Sequence, residues 1–284
     1  MYVDIGQYLF HIGSVPSIVE KNLLTLYENS VSKIQSRPAD YSICLNFETL
    51  MRRFIKPQVT FCLGKERPFK PLPVSQSYPV LEWGMNWCIA ATDFNHLIIH
   101  AAVLVKNNKA IIFPAVPGSG KSTLSAYFAL SGWQLYSDEM AIIDTKTLKV
   151  KPLFRPICLK NQSIPLVKSW FPDSIFTRTT HDTQKGDVAH LKVCDWSTYQ
   201  TYKEAEIVAV VYPKYEETVK EIQPFILNKV EGFEKFAANS FNYNILGEKA
   251  FECTQKIIEN TTQAEITYSK LSEASDILLS EFIN

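Results

Sequence analysis

Pro117, Gly118, Ser119, Gly120, Lys121, Ser122 and Thr123 follow one another in the chain, and residues of these types in this order could hold a polyphosphate. Glycines let consecutive backbone N–H groups turn inward around anionic oxygens, a lysine supplies charge for the terminal phosphates, and a serine hydroxyl can take one position on Mg²⁺. The general rule for such a loop is G-x-x-x-x-G-K-[ST]. Only its first position departs here, since Ala115 stands where the first glycine is written. Alanine suits that place if it ends a strand with negative φ. An ordinary glycine-rich turn would account for the glycines, but not for Lys-Ser-Thr at the start of a helical pattern.

Asp138 and Glu139 are adjacent in WQLYSDEMAIID, a mostly apolar run that reads as one strand with the acids in its middle. A magnesium nucleotide needs a carboxylate from a neighbouring strand, and a carboxylate beside the transferred phosphate can take the proton of an attacking hydroxyl. Strand side chains alternate faces, so only one of the two faces the phosphates unless the strand ends or bulges there. The bland alternative is a solvated strand end. His100 lies in LIIHAAVLV, an apolar strand before the loop, where a lone histidine is by default a satisfied core residue. No N-K-x-D guanine signature follows: Asn228-Lys229-Val230-Glu231 ends in the wrong residue, which argues against a small GTPase.

The elements around these residues supply the context the loop requires. LIIHAAVLV and AIIFPAV read as strands joined by KNNK, whose two asparagines tolerate positive φ, so a hairpin enters the loop. STLSAYFALSG then gives a helix with Leu124, Tyr127, Phe128 and Leu130 on one face and Gly132 as its cap. EIVAVVYPKY is a further buried strand. Helical patterns surround FEKFAANSF and GEKAFECTQKIIEN, a short strand lies near ITYSKL, and SEASDILLSEFI closes with a helix. Upstream, IVEKNLLTLYEN has helical spacing, YSICLNFETL and PQVTFCLG read as short strands, and the proline-rich RPFKPLPVSQSYPV reads as an extended strap. LEWGMNWCIAA is helical. These patterns predict an N-terminal α+β unit over residues 1–95 and a loop-bearing α/β domain over 96–284.

Composition narrows the classes. The chain has 284 residues, 46% of them hydrophobic and 20% charged, enough to bury a core and too apolar for disorder. Twenty-nine basic residues balance twenty-nine acidic ones, so no global field draws in nucleic acid or an anionic membrane, and an acidic ligand must be held by local groups. Six scattered cysteines without a C-x-x-C pair read as reduced thiols, with no zinc site. Asp4 stands where a secretion signal wants positive charge, and no apolar run approaches a membrane span, so a soluble cytoplasmic protein is expected.

The stretch IIHAAVLVKNNKAIIFPAVPGSGKSTLSAYFALSGWQLYSDEMAIID resembles the core of bacterial HPr kinase/phosphorylase, in which a His-Gly strand, a phosphate loop, a helix, a Gly-x-x-Leu turn and an acidic pair occur in that order. The whole chain, roughly residues 2 to 280, is similar to a group of HPr-related kinases through FKPLPVSQSYPVLEWGMNWC, LKNQSIPLVKSWFP, HDTQKGDVAHL and NSFNYNILGEKAF. The resemblance implies an HPr kinase-type P-loop core, related to that of PEP carboxykinase. It implies ATP and Mg²⁺ as cofactors, with Pro117 to Thr123 around the phosphates, Lys121 on the terminal ones, and Ser122, Asp138 and Glu139 on the metal. Asp138 would be the base and His100 its helper. Lys185-Gly186 stands where the HPr enzyme carries Arg-Gly, so Lys185 would neutralise the moving phosphoryl group; a solvated loop lysine is the alternative. HPr enzymes assemble as rings, which makes a homo-oligomer an expectation here as well.

The chain departs from that pattern at Ala101 for glycine and at Glu139 for the second aspartate, and it has no match to the C-terminal segment that docks HPr. The expected activity is therefore ATP- and Mg²⁺-dependent transfer of the γ-phosphate to a hydroxyl of a protein or small molecule that the sequence does not identify. A nucleotide-binding sensor that transfers nothing, and hydrolysis coupled to movement, are the competing expectations.

Overall fold

The computed structural model of the chain describes residues 1–116 and 118–284, which form two compact α/β units, each assembled from two stretches of sequence. The first unit comprises Met1–Ile89 and Leu153–Thr201, the second Ala90–Pro152 and Tyr202–Asn284. This grouping differs from a single division at residue 95, because residues 153–201 pack with the N-terminal residues. Their side chains explain why. Phe154 meets the Tyr27 ring at 5.8 Å and the Trp196 and Tyr199 rings at 5.1 Å each, and Arg155 supplies the counter-charge of buried Glu82.

The first unit is built on a six-stranded sheet in the order Val31–Ser32, Tyr2–Asp4, Leu9–Ile12, Tyr41–Asn46, Gln58–Leu63, Leu72–Pro73. Leu9–Ile12 and Tyr41–Asn46 are parallel, and helix Ser17–Leu26 makes the crossover between them. That helix buries Val19, Leu23 and Leu26 at the helical spacing the sequence carries. The proline-rich segment is extended only to Pro73; a 3₁₀ turn follows at Val74–Gln76, and Pro79 lies within the first turn of helix Ser77–Thr92, where proline's missing N–H costs nothing. A three-stranded sheet of Ile157–Lys160, Gly186–Leu191 and Thr180–Thr183 completes the unit.

In the second unit a six-stranded sheet runs Gln134–Ser137, Ala101–Lys106, Lys109–Pro114, Glu206–Tyr215, Thr262–Tyr268, Phe225–Ile226. Lys109–Pro114 is parallel to Glu206–Tyr215, which is parallel to Thr262–Tyr268. The expected hairpin is present: Lys106 pairs with Lys109 across a turn in which Asn107 and Asn108 have φ of 52° and 61°. Alternate residues Val103, Val105, Ala110, Ile112 and Val210 bury one face of the sheet against Phe236 of helix Lys229–Ala238 and Ile257 and Ile258 of helix Glu248–Asn260. Helix Lys121–Leu130 packs against strand Ala101–Lys106 and helix Leu271–Leu278, burying Leu124 and Phe128. It ends as the sequence predicts, with Gly132 at φ 94° and the Trp133 N–H donating to the Phe128 carbonyl at 3.0 Å.

Two apolar runs that read as single strands are each broken in two. LIIHAAVLV bends at His100 into His96–Ile99 and Ala101–Lys106, and WQLYSDEMAIID breaks at residues 138–140 into Gln134–Ser137 and Ala141–Asp144. The outer pieces, His96–Ile99 and Ala141–Asp144, pair with each other in a separate sheet with Val150–Lys151. The residues on either side of each break are apolar because both sheets are buried, so only His100 and Ser137-Asp138-Glu139 mark where the runs divide. Among the described residues no helix is long and apolar enough to cross a membrane.

Candidate functional site

The site candidates of the second unit gather at one edge of its sheet. Lys109–Pro114 ends there and runs into the glycine loop, and Gln134–Ser137, two strands away and pointing the same way, delivers Asp138 and Glu139. Ala101 pairs with Pro114, which places the His100 bend at the same edge. The register sharpens this. Ile99 pairs with Ala141 and Val103 with Ser137, so residues 100–102 lie opposite residues 138–140. A histidine far from the acids in sequence is thereby brought across from them.

Ala115 is buried and has negative φ, as a strand end that replaces the first glycine requires. Pro117 lies outside the described residues. Gly118 and Gly120 have φ of 89° and 90° and do different work. A Cβ on Gly118 would meet nothing within 4 Å, so this position faces open space and needs glycine only for its backbone conformation. A Cβ on Gly120 would stand 2.8 Å from the Tyr268 hydroxyl and 3.2 Å from the Tyr215 Cβ. Gly120 is therefore fixed twice, by conformation and by the two tyrosines at the ends of adjacent parallel strands. The Tyr215 N–H donates to the Ser119 carbonyl at 3.1 Å, tying the loop to the sheet edge.

Gly120 caps helix Lys121–Leu130, so the first turn, with Lys121, Ser122 and Thr123, presents its N–H groups and the positive end of the helix at this edge. The Lys121 ammonium donates to the Asp138 main-chain carbonyl at 2.7 Å. The loop and the acidic turn are thus in direct contact through the lysine that the motif singles out.

Asp138 does not lie in mid-strand. Ser137 ends its strand, and its hydroxyl accepts the N–H groups of Glu139 at 3.2 Å and Met140 at 2.9 Å, which holds the turn. A carboxylate on such a turn escapes the face alternation of a strand. The Asp138 side chain is only 3% exposed, and neither carboxylate oxygen has a hydrogen-bond partner among the described residues. Desolvation raises its pKa above the usual carboxylate range; the Lys121 charge opposes that, Glu139 reinforces it, and the nearby Ser122 and Ser125 hydroxyls favour the ionised form. Neither hydroxyl completes a hydrogen bond to the carboxylate, and Ser125 donates instead to the Lys121 carbonyl at 2.9 Å.

A buried carboxylate without donors is a costly arrangement for a structural residue. It suits a group that acquires a partner when a ligand arrives. Among the described residues no three His, Cys, Asp or Glu side chains cluster as a self-sufficient metal cage. Mg²⁺ does not need one, since it is commonly held by one or two carboxylates, water and substrate phosphates. The donor set here, an orphaned carboxylate beside a loop-helix serine, fits that mode.

Lys185 belongs to the first unit, in the turn between Thr180–Thr183 and Gly186–Leu191, with its ammonium 4.9 Å from the centroid of the Trp83 ring. It is thus not among the residues that the second unit gathers at the loop. Sequence reasoning also passes over Tyr215, Tyr268 and Ser125. Ser125 is one helical turn beyond Lys121 and could have been found by spacing; the tyrosines reach the loop through strand pairing over long sequence separations and left no local signal. In comparison with known proteins, the chain matches no family model and no curated protein sequence.

Proposed function

We propose that the second unit is the core of an ATP- and Mg²⁺-dependent phosphotransferase similar to HPr kinase, which moves the γ-phosphate to an acceptor hydroxyl. The observation that carries this reading is the buried, unpartnered Asp138 carboxylate held beside the glycine loop by the contact of Lys121 with its main chain. In this reading the loop N–H groups from Gly118 to Thr123 bind the phosphates, and Lys121 leaves the Asp138 carbonyl for the terminal ones. Ser122, Asp138 and Glu139 would hold Mg²⁺, which when bound neutralises phosphate charge.

Asp138 takes the acceptor's proton as the acceptor oxygen bonds to the γ-phosphorus; the bond from that phosphorus to the β,γ-bridging oxygen breaks and ADP leaves. Desolvation assists this step, since a carboxylate with a raised pKa is the better proton acceptor. His100, opposite the acidic turn by register, positions the acid.

The test is to incubate the protein with γ-labelled ATP, Mg²⁺ and fractionated small-molecule and protein extracts, with Asp138→Asn beside it. Label in a new species that disappears in the variant is the expected result. ATP binding without any transferred label would reassign the protein as a nucleotide sensor.

A further inference from the structure

A cavity of about 480 Å³ lies in the second unit at the end of helix Lys229–Ala238, lined by Ala238, Ser240, Phe241, Tyr243, Asn244 and their neighbours. Its size is within the range of small-molecule sites. Its wall and the adjoining Asn239 are bonded to the His100 bend. The His100 N–H donates to the Asn239 carbonyl at 2.7 Å, the Phe241 N–H donates to the Ile98 carbonyl at 2.9 Å, and Ser240 forms a bridge with Ile99. The Phe241 and His100 rings are 5.3 Å apart between centroids. The wall of the cavity is thus tied to the bend that lies opposite residues 138–140 by register.

Among the described residues no charged side chain lines this cavity. An anionic or cationic ligand would find no counter-charge among the lining side chains. The lining combines aromatic rings, which cover the C–H faces of a ring compound, with the Tyr243 hydroxyl, the Asn244 amide and the Ser240 hydroxyl, which donates to the Ile98 carbonyl at 3.2 Å and is left to accept. We infer that this cavity is the acceptor site and that it takes an uncharged, sugar-sized polyhydroxy compound. This rests on the phosphotransferase reading: one acceptor hydroxyl attacks the γ-phosphorus, its proton passes to Asp138, and ADP is the leaving group.

The experiment uses D-glucose and D-galactose as neutral probes, D-glucose 6-phosphate as the charged counterpart, and Ala238→Trp to fill the cavity from an exposed position at the end of its helix. Ligand-observed saturation-transfer NMR reads binding without any need for turnover, and calorimetry reads ATP. Saturation of the neutral sugars by the wild type, at least tenfold weaker in Ala238→Trp with ATP affinity within twofold of wild type, is expected. No neutral-sugar signal, an equal signal in the variant, or a preference for the phosphorylated sugar overturns the inference. A tenfold loss of ATP affinity in Ala238→Trp also overturns it, by assigning the cavity to the nucleotide base. If the wild type binds the sugars but not ATP, the phosphotransferase reading fails while the cavity assignment as a neutral-sugar site stands.

Discussion

Glu82 in the first unit and Asp138 in the second are both 3% exposed, and their surroundings are opposite. Glu82 accepts from the Tyr78 hydroxyl at 2.6 Å, from the Tyr27 hydroxyl at 3.1 Å and from the Arg155 guanidinium at 2.6 Å, and its main-chain carbonyl receives Arg155 as well. Asp138 has no donor at all among the described residues. One carboxylate is compensated on every side and holds together two distant stretches of its unit. The other is left uncompensated beside a loop shaped for anions. Burial alone therefore does not set the two acids apart; burial without satisfaction does, and it makes Asp138 the candidate.

The strongest way to break this comparison is Asp138→Asn. If Asp138 is the base, label transfer falls by about 10²–10⁴-fold while ATP affinity changes little, because proton abstraction contributes about that factor. Unchanged turnover, measured with the γ-label, would remove it from the chemistry. Glu82→Ala is the converse test. It leaves the Arg155 guanidinium buried without its partner, and urea unfolding should show a loss of about 3–5 kcal/mol from the first unit. A loss below about 1 kcal/mol would show that the network contributes little.

Gly120→Ala against Gly118→Ala separates space from backbone conformation within the loop. Both pay the left-handed penalty of about 1–2 kcal/mol, but only Gly120→Ala must also displace Tyr268. ATP affinity, read by calorimetry, should fall further in Gly120→Ala, and Tyr268→Phe should restore part of it. Equal losses in the two glycine variants would deny the tyrosine contact a role.

The smallest effect sharpens the comparison by pH. Burial raises the Asp138 pKa, so the folded chain holds this proton more tightly than the unfolded chain does. The stability associated with the proton is fully present below the unfolded value of about 3.9 and is lost as pH rises through the raised folded value. Asp138→Asn should therefore raise the melting temperature at pH 7, by about 2–4 °C for each kcal/mol of relief, with the gain shrinking towards pH 4. A gain independent of pH would separate the effect from the titration of Asp138.

Much of this was legible in the sequence because local chemistry fixes it. The two asparagines of KNNK, the Gly132 cap and strand Glu206–Tyr215 lie where their residue types place them. The glycine loop and its helix were legible for the same reason. What escaped is non-local. The break at Ser137–Met140 depends on Ser137's hydroxyl and on the chain exchanging one buried sheet for another, which the apolar residues on either side of the acids do not reveal. The opposition of His100 to the acidic turn depends on register between those strands. The assignment of residues 153–201 to the first unit depends on a buried pairing, Glu82 with Arg155, that no spacing rule reveals.

That pairing also orders events during synthesis. Glu82 and Arg155 are 73 residues apart, and the whole run 90–152 that separates them belongs to the other unit. A ribosome that has released residues 1–89 has made a sheet and a helix whose acid still lacks its guanidinium and whose Tyr27 still lacks Phe154. The second unit waits in turn for Tyr202 onward, including the strand that flanks Lys109–Pro114. Neither unit can close until the translation of the other is well advanced, so a fragment ending at residue 95 should emerge as a dependent chain that exposes apolar surface to chaperones.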